Sequence, residues 1–128
     1  MALSTDKIRL LIADDQPTIL RGLALLLGSE DDVEVVGQAK DGVEAVELAN
    51  KLQPDVILMD LRMPRMTGIE ATRAITRENS GVKVVVLTTF DSDGLKNEAL
   101  EAGAHTYLLK DDDEKNVLST IRSIHQGK

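Results

Sequence analysis

Cysteine is absent from this 128-residue sequence, and so is tryptophan. Without thiols there is no disulfide framework, no thiolate zinc site and no cysteine nucleophile, which is compatible with a reducing compartment. Aromatic residues make up 2% of the chain, one tyrosine and one phenylalanine, and the formal net charge is -7. Both features argue against a basic, base-stacking surface, so any contact with DNA would have to come from another domain. No apolar run reaches the roughly 20 residues that span a bilayer, and Met1 to Lys7 lack the apolar middle region of a secretory signal. The expectation is a soluble, cytoplasmic protein with no membrane partner.

What is present is an alternation. The length favours one domain with a single core. Five short apolar runs, Ile8 to Ala13, Val33 to Val36, Val56 to Met59, Val82 to Leu87 and Tyr107 to Leu109, read as strands. Four are nearly continuous in Val, Ile and Leu, as parallel strands covered on both faces must be. Val33-Glu34-Val35 alternates instead and suits an edge. Segments with helical spacing lie between, such as Leu20, Leu23, Leu27 and Val117, Ile121, Ile124. Thr67 and Glu70 have capping-box spacing, as do Asp41 and Glu44, and Pro17 suits a first helical turn. The acidic run Asp111 to Glu114 reads as charge opposing the dipole of the last helix. Strand and helix alternating five times with short loops predict an open, doubly wound α/β sheet.

Ligands of such a sheet bind beyond the carboxyl ends of its strands. The first strand ends in Asp14-Asp15, the third in Asp60, the fourth in Thr88-Thr89 and the fifth in Lys110. Asp14 and Asp15 taken singly read as helix caps. Three carboxylates at one end of a sheet, however, repel one another unless a proton or cation offsets them. All-oxygen donors suit a hard cation, Mg2+ first. Asp60, between a buried strand and the loop Leu61-Arg62-Met63-Pro64, can be a ligand or a nucleophile. Lys110 is either a solvated lysine or a partner for Asp60 or a phosphoryl oxygen. Thr88 is either a strand-ending β-branched residue or a donor to that oxygen. Together the set suits phosphoryl transfer, which asks for neutralised phosphoryl oxygens and an in-line nucleophile.

The motifs Leu11-Ile12-Ala13-Asp14-Asp15, Leu58-Met59-Asp60-Leu61-Arg62-Met63-Pro64, Leu87-Thr88-Thr89 and Gly103-Ala104-His105-Thr106-Tyr107-Leu108-Leu109-Lys110 resemble those of response regulator receiver domains over essentially the whole chain. The resemblance implies a CheY-like, flavodoxin-like fold, a five-stranded parallel sheet of order 2-1-3-4-5 with helices on both faces, in one domain over residues 1–128. It implies a switch rather than an enzyme. Asp60 would be the phosphoacceptor, Mg2+ would sit on Asp15, Asp60 and the backbone carbonyl of Arg62, and Asp14 would join through water. Thr88 and Lys110 would hold the phosphoryl group, and its donor would be a sensor histidine kinase. Tyr107 would rotate with Thr88, changing the surface around Asp93 to Ala102, unless it is a core aromatic with a partnered hydroxyl. His105 and His125 need no catalytic role. Autodephosphorylation would depend on the access that Arg62 and Phe90 allow.

Many receivers have a cis proline after the lysine; here Asp111 follows, and a trans bond is expected. Lys-Asp is similar to the NarL/FixJ type, whose receivers precede a helix-turn-helix DNA-binding domain that is not present in this chain. The ending Gln126-Gly127-Lys128 fits a transcription factor cut at its linker and a stand-alone receiver equally, with homodimerisation on phosphorylation as one output. Two other classes share parts of the pattern. A haloacid dehalogenase-type phosphohydrolase would need Asp-x-Asp on the first strand, where this chain has an adjacent pair. A flavodoxin-like FMN carrier would need a phosphate-cradling loop where Asp14-Asp15 would repel it. A degenerate, unphosphorylated receiver is disfavoured by the complete set of site side chains.

Overall fold

The first strand, β1 (Ile8–Ala13), shows why the apolar runs are continuous: Ile8, Leu10 and Ile12 pack to one side of the sheet and Leu11 and Ala13 to the other. The computed structural model describes residues 7–79 and 81–127. Apart from Lys7, the segment read above for a secretory signal lies outside the described residues, as does Lys128. The remaining elements are α1 (Pro17–Gly28), β2 (Val33–Ala39), α2 (Gly42–Leu52), β3 (Val56–Met59), α3 (Gly68–Glu78), β4 (Lys83–Thr88), α4 (Asp93–Glu101), β5 (Thr106–Leu109) and α5 (Glu114–His125). The five strands are parallel in the order β2-β1-β3-β4-β5, so the doubly wound fold is as expected.

Leu20 and Leu27 of α1 and Val117, Leu118 and Ile121 of α5 cover one face of the sheet. The other face meets small residues, Ala45 and Ala49 of α2, Ala71 of α3 and Ala99 of α4, which let three helices approach closely. Each large aliphatic side chain fully buried in these two layers contributes on the order of 1.5–3 kcal/mol. Val33-Glu34-Val35 does lie on an edge strand.

Element ends differ from the sequence reading in places. β2 runs on from Val36 to Ala39, with a register shift opposite Leu10 and Leu11, because its pairing with β1 continues through Gly37 and Gln38 although neither is apolar. β4 starts at Lys83 and includes Thr88, and β5 starts at Thr106. Thr67 and Glu70 form a full capping box. Asp41 accepts from the Glu44 amide, but the Glu44 carboxylate turns to the amide of Lys40 rather than Asp41, so this box is only half made. Pro17 opens α1, yet its N-cap is Gln16, and neither Asp14 nor Asp15 caps the helix. Instead Asp14 accepts from the Gln16 amide. In the acidic run, Asp113 caps α5 and Asp112 turns back to the Leu109 amide, so these two residues do more than oppose a dipole. The Lys110–Asp111 bond is trans.

Candidate functional site

The strand register brings the predicted site together. Ala13 of β1 pairs with Met59 of β3, and the Asp60 amide donates to the Ala13 carbonyl, so Asp14 and Asp60 leave the sheet side by side. At the other edge Thr88 pairs with Leu109, and the Lys110 amide donates to the Thr88 carbonyl at 2.7 Å. These ends meet at one lip of the sheet because all the strands run the same way.

Asp14 and Asp60 are buried and Asp15 is exposed, and one oxygen from each of the three lies within 4.8 Å of the others. Lys110 reaches into the cluster from β5. Its Nζ donates to Asp14 Oδ2 at 2.7 Å and lies 3.5 Å from Asp60 Oδ2, so its nearer partner is Asp14, which sequence reasoning did not pair with it. Asp60 Oδ1 accepts from the Leu61 amide at 2.9 Å. Burial, followed by the Asp14 charge, pushes the Asp60 carboxyl up to about 6, against the opposing pull of Lys110 and the Leu61 amide. One ammonium therefore does not balance the three carboxylates. The all-oxygen donor set and this excess of negative charge fit a hard divalent cation.

Thr88 is fully buried, and its Oγ1 accepts from the Phe90 amide at 3.3 Å. The Tyr107 hydroxyl donates to the Phe90 carbonyl at 2.5 Å. Burial, with a smaller effect from Asp91, raises the Tyr107 pKa. The tyrosine is thus a partly buried aromatic with a partnered hydroxyl, packed against the core under α4. The Arg62 guanidinium lies over the Phe90 ring, 4.7 Å from its centroid. Both residues line a cavity of about 480 Å³ that also borders Leu61 and Leu95. His105 is exposed at the start of β5, and His125 lies 3.8 Å from Asp55, both at the far end of the sheet from the carboxylates.

Two features have no signal in the sequence. Phe90 reads as a neighbour of Thr88, but its backbone joins Thr88 to Tyr107. Arg65 gives no hint of a role, yet it binds Asp41 through two guanidinium nitrogens.

The family description "Response regulator receiver domain" matches residues 10–122, and the chain belongs to that family. It is a receiver domain of the kind found in two-component response regulators. It is 47% identical over 121 residues to the transcriptional regulatory protein LiaR of Bacillus subtilis, covering 94% of this chain and 57% of LiaR. Its fold is similar to the signal receiver domain of a response regulator, NarL, from Mycobacterium tuberculosis, with a TM-score of 0.91 and 32% identity over 96% of this chain and 99% of that one. A CheX-CheY-BeF3-Mg2+ complex from Borrelia burgdorferi gives a TM-score of 0.84 at 25% identity, covering 93% and 90% of the two chains. The chain spans little more than half the length of the curated relatives it matches, 54% and 57% for the first two. Those relatives are named as transcriptional regulators. Among the described residues no helix is long and apolar enough to cross a membrane.

Proposed function

We propose that this domain is a phosphorylation-dependent switch in which Asp60 accepts a phosphoryl group from a phosphohistidine on a cytoplasmic sensor histidine kinase. The observation that carries this is the cluster at the sheet lip: three carboxylates with oxygens within 4.8 Å and Lys110 Nζ 3.5 Å from Asp60. Asp14, Asp15, Asp60 and the Arg62 backbone carbonyl would hold Mg2+, which when bound offsets carboxylate charge and draws charge from the phosphoryl oxygens. The CheY complex named above carries Mg2+ with BeF3, which supports the same cofactor here.

In the transfer, an Asp60 carboxylate oxygen forms a bond to phosphorus while the bond from phosphorus to the kinase imidazole breaks, its electron pair staying with nitrogen. The product is an acyl phosphate. With its carboxyl near 6, Asp60 is mostly ionised at neutral pH and so can act as the nucleophile. Lys110 and the Thr88 hydroxyl donate to the phosphoryl oxygens and spread the charge of the transition state.

The readout follows from Phe90, which accepts from Tyr107 at its carbonyl and donates to Thr88 at its amide. Moving the Thr88 hydroxyl to a phosphoryl oxygen gives up its contact with Phe90 and loosens the anchor of Tyr107. That shifts a pre-existing equilibrium at α4 and β5 and favours homodimerisation or release of an output domain. Residues 1–128 form one receiver domain in this reading. Transcription is controlled by a helix-turn-helix domain outside this chain, and the relatives' names support that output. The net charge of -7 agrees with DNA contact through such a domain only.

The test is intact mass spectrometry of the chain and its Asp60→Asn variant after incubation with acetyl phosphate and Mg2+. The unmodified chain should gain one phosphoryl group, the variant none, and prior chelation of Mg2+ should abolish the gain. An equal gain in both proteins would move the acceptor elsewhere.

A further inference from the structure

The loop after β3 passes from Asp60 through Arg62 to Gly68, and its conformation depends on a helix that carries no site residue. Its neck is closed by the Gly68 amide donating to the Leu61 carbonyl at 2.9 Å, and within it the Met66 amide donates to the Pro64 carbonyl at 2.7 Å. Gly68 packs so tightly that a Cβ there would collide with the Asp60 carbonyl, which fixes where the loop ends relative to the acceptor. At its outer turn Arg65 has a φ of 68°, a backbone region that arginine rarely occupies.

The Arg65 side chain is bound to Asp41. Arg65 Nε donates to Asp41 Oδ2 at 3.0 Å, and Nη2 donates to Oδ2 at 2.9 Å and to Oδ1 at 3.1 Å. The fork-on-carboxylate geometry fixes direction as well as distance. The two partners differ in setting: the Arg65 side chain is 57% exposed and that of Asp41 is 5% exposed. Asp41 is itself immobilised, because its Oδ1 accepts from the Glu44 amide at 2.8 Å as the N-cap of α2. Next to it, a Cβ on Gly42 would collide with the Met66 carbonyl, so the loop backbone lies directly on the first turn of α2. An exposed ion pair is ordinarily worth little. This one engages a residue of unfavourable φ in the segment that contains the Arg62 carbonyl.

We infer that Arg65 and Asp41 are positioning residues for the cation site, a clamp through which the N-terminus of α2 holds the loop that presents the Arg62 carbonyl. This inference rests on the proposed Mg2+ site. Groups that orient metal ligands from outside the ligand set typically change affinity by about 10- to 100-fold when removed. The lower end is expected here, because Arg62 would supply the only ligand between the Leu61 and Gly68 ends of the neck.

The clamp is tested with Arg65→Asn, since asparagine tolerates positive φ and the variant loses the guanidinium without forcing the backbone to change. Hydrogen exchange is followed in chelator at the amides of Met66 and Gly68, the two that hydrogen bonds within the loop protect, and Mg2+ affinity is measured by calorimetry. Arg122→Ala serves as the control, because it breaks a comparable bidentate contact, to Asp32, far from the carboxylates. Arg65→Asn should speed exchange in the loop and weaken Mg2+ binding about tenfold, with phosphoryl gain recovered at saturating Mg2+. Arg122→Ala should leave both loop exchange and Mg2+ affinity unchanged. Loop exchange equal to the parent's, or Mg2+ affinity within about twofold of it, would overturn the clamp, since a clamp of this kind should cost about tenfold. If the parent binds no Mg2+ at all, the cation site itself is wrong, and loop exchange in chelator still decides whether Arg65 holds the loop.

Discussion

Asp60 is under opposing influences that can be separated by pH. Burial and the Asp14 carboxylate raise its carboxyl to about 6, while Lys110 and the Leu61 amide pull it down. In the unfolded chain it returns to the ordinary carboxylate value near 3.8. Between those values the folded chain holds the proton more tightly, so this group makes stability fall as pH rises from roughly 4 to 6. At neutral pH without a divalent cation the ionised Asp60 is therefore a net cost. Asp60→Asn should make the metal-free chain more stable at pH 7 by about 1–2 kcal/mol, and the gain should vanish below roughly pH 4. Urea unfolding of both proteins in chelator at the two pH values measures this. Equal stability at pH 7 would mean that the carboxylate cluster carries no uncompensated charge. That Asp14, Asp15, Asp60 and Lys110 gather at one end of the sheet was legible in the sequence, because each follows an apolar run. Which carboxylate Lys110 grips most closely was not, because strand periodicity places a side chain at a lip without setting its rotamer.

Helix ends show how far local chemistry can be read. Thr67 and Glu70 satisfy each other's backbone amides, as their spacing implies, and they begin the helix that follows the loop after β3. Thr67→Ala should cost about 1 kcal/mol, seen as a lower urea midpoint with an unchanged slope. A loss below about 0.3 kcal/mol would contradict the cap, since caps of this type cost about 0.5–2. Asp41 and Glu44 have the same spacing, but Glu44 reaches the Lys40 amide while both Asp41 oxygens accept from Arg65. Spacing cannot reveal that competition, because Arg65 arrives from a loop 24 residues away. The extension of β2 to Ala39 was hidden for a similar reason: backbone pairing with β1 carries it past Val36 without apolar side chains.

The whole molecule separates packing from chemistry. Two aliphatic layers, with α1 and α5 on one face of the sheet and α2, α3 and α4 on the other, hold the strands parallel, and the parallel arrangement collects the polar residues at one lip. This much followed from the order of apolar and polar segments. The path from Thr88 through the Phe90 backbone to Tyr107, and the Arg65 clamp, depend on loop conformations with no periodicity to read. Reductive trapping shows whether the phosphoryl group resides on Asp60. Borohydride converts an aspartyl phosphate to homoserine, so the acetyl phosphate-treated chain is reduced, digested and mapped by tandem mass spectrometry. Homoserine is expected at position 60 and nowhere else, and only when Mg2+ was present. Homoserine at position 14 or 15, or a phosphoryl gain that resists borohydride and maps to His105 or His125, would contradict that assignment.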